Sequence, residues 1–221
     1  MGKRLSGTRN YLWIAALGTE VVGDGTTALA TEGFYKITAV ASSGSAWPTN
    51  AVVGDVVYNG TGGGAITPAV GDDAKPMTLT KIAWVTDIPN SASKEKFEDT
   101  VQIDDARSYE EGDKPEISGS WNGYFFSDDA DALTVLKRFF TVTEDDGAGS
   151  ITISNPTTGV IHTFLGRNET TTSGEKNIMQ YLPVILDNWQ GDKPMQGKQT
   201  FTCNYTAVGS ERPAFYIRTV A

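Results

Sequence analysis

Apolar and polar side chains alternate through a series of short runs: Phe34–Val40, Val52–Tyr58, Thr78–Val85, Glu116–Phe126, Ser150–Ile153, Gly159–Leu165, Ile178–Asp187, Gln199–Val208 and Ala214–Val220. A period of two marks a strand with one packed and one solvated face. Turn-forming pairs such as Asp24-Gly25, Asn59-Gly60, Asn155-Pro156 and Ser173-Gly174 separate most of the runs, which predicts a mainly β, antiparallel chain. Two runs carry the pattern most clearly. In Glu116–Phe126 the residues Ile117, Gly119, Trp121, Gly123 and Phe125 share one face, and Glu116, Ser118, Ser120 and Asn122 share the other. In Gln199–Val208 the split is Phe201, Cys203, Tyr205 and Ala207 against Thr200, Thr202, Asn204 and Thr206. Both predicted wet faces are small and nearly uncharged, where an exposed strand ordinarily carries Lys and Glu that guard its edge. A Thr-rich sheet exterior is the plainer account of the same residues.

One segment has helical spacing instead. Ser127 is placed to cap, Asp128, Asp129 and Asp131 sit at the positive end, and Lys137 and Arg138 sit at the negative end. Ala132, Val135, Leu136, Phe139 and Phe140 would form one buried stripe between them. The expected fold is an antiparallel β-sandwich or open barrel with one flanking α-helix over Ser127–Phe140. A chain of 221 residues suffices for one large β domain or two small ones.

Composition narrows the chemistry. The 27 threonines and 24 glycines suit half-exposed strands and tight turns. The net charge of −9 disfavours a nucleic-acid grip, which needs clustered Lys and Arg. That charge is local: residues 87–131 hold thirteen acids and four bases, and the flanking segments balance. The block reads either as a solvated acidic loop or as a carboxylate surface facing a neighbouring subunit or a passage. No apolar stretch approaches a membrane span, and no signal-type apolar region follows Met1–Arg4.

A single cysteine and a single histidine exclude a disulfide framework and a Cys/His zinc site. His162, inside Val160–Phe164, reads as a structural histidine on a strand, and Cys203 as a buried inert thiol. Adjacent acids such as Asp104-Asp105, Glu110-Glu111 and Asp128-Asp129 point apart, and a glycosidase pair would need tertiary structure to form. Glu144-Asp145-Asp146-Gly147 lacks EF-hand spacing, and Gly60–Gly64 has no lysine or helix start behind it. No catalytic set emerges, and no cofactor or metal is expected.

The order of elements nevertheless resembles a known family. Phe97-Glu98-Asp99-Thr100, then Asp104–Tyr109, Gly112–Ile117 and Ser118-Gly119-Ser120-Trp121-Asn122-Gly123, leading into the helical segment, is similar to the tail tube proteins of long-tailed bacteriophages. Gly197–Val208, before Gly209 and Pro213, is similar to that family's closing strand pair. The specific likeness covers about residues 85–140. It implies one tail-tube-like domain over residues 1–221, with a flexible N-terminal arm (about 1–30), and residues 33–75 read as an enlarged element. It also implies a non-enzymatic virion protein whose strands join a multi-subunit β-barrel on assembly. Hexameric rings would stack into a hollow tube that conducts viral DNA without specific binding. The implied partners are further copies of itself, a tape-measure protein, and tail terminator and baseplate proteins, with no membrane. Its place would be the virion tail, and the host cytoplasm during assembly.

On this reading Glu116, Ser118, Ser120, Asn122, Thr200, Thr202, Asn204 and Thr206 face the lumen. The acidic loop Asp104–Lys114, with Asp104, Asp105, Arg107, Glu110, Glu111, Asp113 and Lys114, meets Lys3, Arg4 and Arg9 of the next ring. The alternatives are a tube subunit of a contractile injection or secretion machine, and a β-sandwich glycan-binding or decoration module. The latter would need exposed aromatics around a cleft, with Trp13, Trp47, Trp84, Trp121 and Trp189 as candidates.

Overall fold

A computed structural model describes residues 10–60, 65–82, 85–87, 90–99, 108–124, 137–145, 147–167, 176–192, 200–208 and 211–219. Among the described residues the strands pair antiparallel and there is no helix. The chain divides into two compact units: residues 1–82, 162–183 and 211–221 form the first, and residues 83–161 and 184–210 the second.

The first unit contains β1 (Asn10–Leu17), β2 (Val21–Val22), β3 (Gly33–Ala39), β4 (Val56–Asn59) and β5 (Asp73–Ile82). It also takes most of β11 (Ile161–Arg167), the first half of β12 (Lys176–Asp192) and β14 (Ala214–Thr219). Strand neighbours run β4, β3, β5, β1, β11, β12, with β14 on β12 and β2 on β5. The series curls on itself. Tyr216 of β14 packs edge-on against Phe34 of β3 at 5.1 Å, and its hydroxyl donates to the Val56 carbonyl of β4. Phe34, Phe164, Tyr181, Met77, Val56 and Ala15 fill the space within.

Residues 1–30 do not all form an arm. Asn10–Leu17 is an interior strand, paired to β5 on one side and β11 on the other. Its near-continuous apolar sequence hides the alternation, and Leu12 and Ala15, on opposite faces, are both buried. The loop that follows is pinned by Gly18 N–H to Pro76 O, Gly25 N–H to Pro68 O and Leu29 N–H to Ile66 O. The element at 33–75 has a small core of its own, with Leu29, Tyr35, Ile37, Trp47, Val57 and Ala74 buried together. Its loops converge on Asp72, fully buried, whose carboxylate accepts from the N–H groups of Ala41, Ala46 and Ala69 and from the Ser45 hydroxyl. Burial alone would raise that carboxyl's pKa, but these four donors outweigh it and hold Asp72 below the usual carboxylate range.

The second unit contains β6 (Val85–Asp87), β7 (Asn90–Asp99), β8 (Ser108–Tyr124), β9 (Val142–Asp145), β10 (Ile151–Ser154), β13 (Thr200–Ala207) and the second half of β12. β8 is its spine: β13 pairs along one edge, and β7 and β6 along the other. β9 and β10 form a separate hairpin. The predicted helix over Ser127–Phe140 falls for the most part outside the described residues; Lys137, Arg138 and Phe139 form a turn. The two basic side chains fasten this turn to the hairpin region, Lys137 Nζ to Glu144 Oε2 at 2.7 Å and Arg138 to the Thr158 carbonyl at 3.3 Å.

Candidate functional site

β13 and β8 are direct neighbours, and their register sets the two predicted wet faces side by side. Thr200 lies opposite Tyr124, Thr202 opposite Asn122, Asn204 opposite Ser120 and Thr206 opposite Ser118. Glu116, Ser118 and Thr206 are exposed, and Ser120, Asn122, Thr200, Thr202 and Asn204 are half-buried. The Thr202 hydroxyl donates to Asn122 Oδ1 at 2.8 Å, and that of Thr206 to Asp187 Oδ2 at 2.7 Å. All eight residues expected on one surface therefore belong to one face of one strand pair.

The opposite face is packed. Ile117, Trp121, Phe201, Cys203 and Tyr205 are buried, Trp121 to 1% exposure. The Trp121 and Tyr205 rings lie 5.3 Å apart, and the register sets Trp121, Cys203 and Trp189 in one row across β8, β13 and β12. Burial pushes the Cys203 thiol up to about 12, with the Asp187 carboxylate adding to the effect, so this cysteine is inert at neutral pH.

The hydrophilic face extends further than the alternation of two strands revealed. Asn188 lies opposite Asn204 and Gln190 opposite Thr202, both exposed on β12. A bulge between Leu186 and Asn188 hides them in the sequence. The extra residue, Asp187, switches the parity, so that Ile185 before it and Asn188 and Gln190 after it are all exposed, as is Asp187 itself. On the other flank, Ser91 and Ser93 of β7 hold the register positions opposite Ser118 and Glu116. The sequence Asn90–Asp99 is too polar and charged to read as a strand by periodicity.

The second expected group is only partly described. Lys3, Arg4, Arg9, Asp104, Asp105 and Arg107 lie outside the described residues. Glu110, Glu111, Asp113 and Lys114 do not belong to a loop: they fall in β8, with Phe97 opposite Glu110 and Lys96 opposite Glu111. The backbone ladder with β7 makes this charged segment a strand, a non-local pairing that composition alone did not suggest.

His162 belongs to the first unit. Its Nδ1 lies 2.7 Å from the Tyr181 hydroxyl, which donates to Glu211 Oε2 at 2.9 Å, while Glu211 Oε1 holds Lys36 Nζ at 2.6 Å. Because Tyr181 gives its proton to the carboxylate, Nδ1–H of His162 is the donor to the tyrosine oxygen. Burial holds the His162 pKa below its ordinary value, Glu211 opposing and Lys36 reinforcing. Burial and the adjacent Glu211 push the Tyr181 phenol far up. This chain of bonds ties β3, β11, β12 and the segment before β14. Cys203 lies in the other unit, and among the described residues no group of three or more His, Cys, Asp or Glu is placed to hold a metal ion. Gly147 N–H bonds Asp145 Oδ1 at 2.9 Å in the hairpin turn of β9 and β10.

No protein-family model matches the chain, and no curated protein sequence matches it either.

Proposed function

We propose that the chain is a structural tube subunit of the kind its sequence resembles: copies close into hexameric rings, and the rings stack around a bore that passes viral DNA. The finer architecture, a sandwich with a flanking helix at Ser127–Phe140, is part of this proposal, as are the virion tail location and the tape-measure, terminator and baseplate partners. One observation carries the reading. A sheet face built from Ser118, Ser120, Asn122, Thr202, Asn204 and Thr206 in direct register is hydrophilic yet offers no cation. Lining a bore with such a surface keeps it wet while giving DNA phosphates nothing to displace counterions against. Glu116 at its border adds repulsion. Both β8 and β13 already have a neighbour along each edge within the chain, so this face needs no charged edge guards.

The test is the assembly state of the full chain, followed by size-exclusion chromatography and negative-stain electron microscopy across a concentration series. Rings or filaments are expected; a particle that stays single at every concentration overturns the reading. The contact between rings, through Lys3, Arg4 and Arg9 toward the carboxylates of residues 104–114, is tested by deleting residues 1–9, which leaves β1 intact. Shorter or absent tubes are expected, because individually weak ion pairs are multiplied by ring symmetry.

A further inference from the structure

The first unit contains a cleft of about 710 Å³ between the two ends of its curled strand series, walled by β4 and the loop before it on one side and by β14 and β12 on the other. This size is typical of a site for a small organic ligand. Its floor is aromatic: Trp13, Phe34, Tyr58 and Tyr216 all line it, with Phe34 packed 4.9 Å from Tyr58 and 5.1 Å from Tyr216. Gly166, which also lines the cleft, leaves room for the Trp13 ring. A Cβ at Gly166 would sit 2.4 Å from the indole, so only glycine lets the ring lie against the β11 backbone. A half-buried indole in the wall of the cleft offers an apolar ring for a ligand to pack on.

The rim is polar in a particular way. Asp55 and Arg212 stand at the mouth 3.7 Å apart; Asp55 is further tied by the Val52 N–H at 3.0 Å, and Arg212 is 66% exposed. Asn50, in a left-handed backbone conformation, and Asn177 add amides. An anionic ligand would face Glu32 and Asp55 with one guanidinium already engaged. A purely apolar ligand would strip water from Asp55 and Arg212 without replacing their hydrogen bonds. An uncharged molecule with apolar faces and many hydroxyls meets both the aromatic floor and the paired polar rim. A pyranose has both: its C–H face stacks on an indole, and its neighbouring hydroxyls match the two-atom edges of carboxylate, amide and guanidinium.

We infer that this cleft is a binding site for a short neutral oligosaccharide, with Trp13 as the stacking platform and Asp55 and Arg212 as the hydroxyl-reading pair. The inference is independent of tube formation and is tested on the unassembled subunit. Linear tetrasaccharides of glucose, mannose and N-acetylglucosamine, and a sialylated one, are titrated against tryptophan fluorescence and by calorimetry. At least one neutral sugar should bind saturably, and Trp13→Phe should remove the fluorescence change. Arg212→Ala, at an exposed position that does not endanger folding, should weaken binding about tenfold, the scale of one charge-assisted hydrogen bond. Absence of saturable binding by every neutral sugar overturns the proposal. So does binding of the sialylated sugar alone, or sugar binding that Arg212→Ala and Trp13→Phe both leave unchanged. An apolar dye that occupies the cleft and is not displaced by any sugar would assign the site to a different ligand class.

Discussion

The two units place their polar side chains oppositely. In the first, polar groups are inside: Asn59, Asp72, His162, Thr163 and Gln180, the buried polar residues among those described, all belong to it. Asn59 shows the pattern, its amide N–H groups reaching the carbonyls of Leu29 and Ala30 and its oxygen receiving the Ile66 N–H. In the second unit the buried side is aromatic and aliphatic, and the hydroxyls and amides stand on a half-wet face. A buried polar group is costly unless every partner is present, so polarity inside the first unit is part of what specifies its fold. Polarity on the surface of the second contributes little to stability, and its arrangement is free to serve what the face touches.

This contrast sets an order of effects. Asp72→Ala is expected to be the most destabilising change at a polar position. It orphans three backbone N–H groups and a hydroxyl in an unexposed site, at about 1–3 kcal/mol for each donor that water cannot reach. A loss of about 4 kcal/mol or more by urea denaturation is the expected outcome, with Asp72→Asn costing less because it keeps two acceptor positions on one oxygen. Trp121→Ala is its counterpart in the second unit, expected at about 3–5 kcal/mol through the cavity it leaves. Should Asp72→Ala prove neutral, the claim that polarity in the first unit is structural would fail.

The difference between the units also decides what the sequence disclosed. The strand pair β8 and β13 was legible because each has one packed and one wet face, so Trp121 alternates with Ser120 and Asn122, and Cys203 with Thr202 and Asn204. β1 was not, because Leu12 and Ala15 are buried on opposite faces and the run loses its alternation. β7 was not, because its polar composition imitates a loop and its structure comes from pairing with β8, a non-local property. Asn188 and Gln190 were lost to the bulge in β12, which breaks the period where the site continues. Asp72 was not legible either, since its bonding partners lie up to 31 residues away.

Acid should weaken the first unit through His162. Its folded pKa lies below the ordinary 6.5, chiefly by burial, so the unfolded chain takes up the proton first. The stability from the neutral, hydrogen-bonded imidazole is fully present above pH 6.5 and is lost as pH falls through that value toward the folded pKa. The slope for one proton is at most about 1.4 kcal/mol per pH unit. The charged and titratable groups facing the ring are Glu211, Lys36 and Tyr181, from three different segments. His162→Gln should flatten the stability curve between pH 7 and 5 relative to the native chain. Parallel curves would remove His162 as the sensor.

Cys203 gives a probe of the second unit with no stability cost. Fully buried and with its pKa raised to about 12, it should resist an aromatic disulfide reagent at pH 8 and react at once in denaturant. Slow native labelling would then report opening of the sheet that separates the aromatic from the hydrophilic face. Rapid labelling in the native state would contradict the packing of the row Trp189, Cys203 and Trp121.

The smallest stability effect is expected where the functional claim is strongest. Thr202→Val deletes a 2.8 Å hydrogen bond to Asn122, but both residues are half-exposed and water can replace the lost donor, so the change should stay within about 1 kcal/mol. Ser120→Lys with Asn204→Lys goes further. The two positions are opposite one another in register, so one protonated lysine would stand beside another on the hydrophilic face. Mutual repulsion on a solvated surface is a minor penalty, and the fold should persist. The consequence should emerge only with DNA: the native assembly should show no salt-dependent DNA retention, while the double-lysine assembly should hold DNA at low salt and release it as salt rises. If both assemblies treat DNA alike, this face does not line the bore, and the neutral surface would have to be explained by a contact between subunits instead.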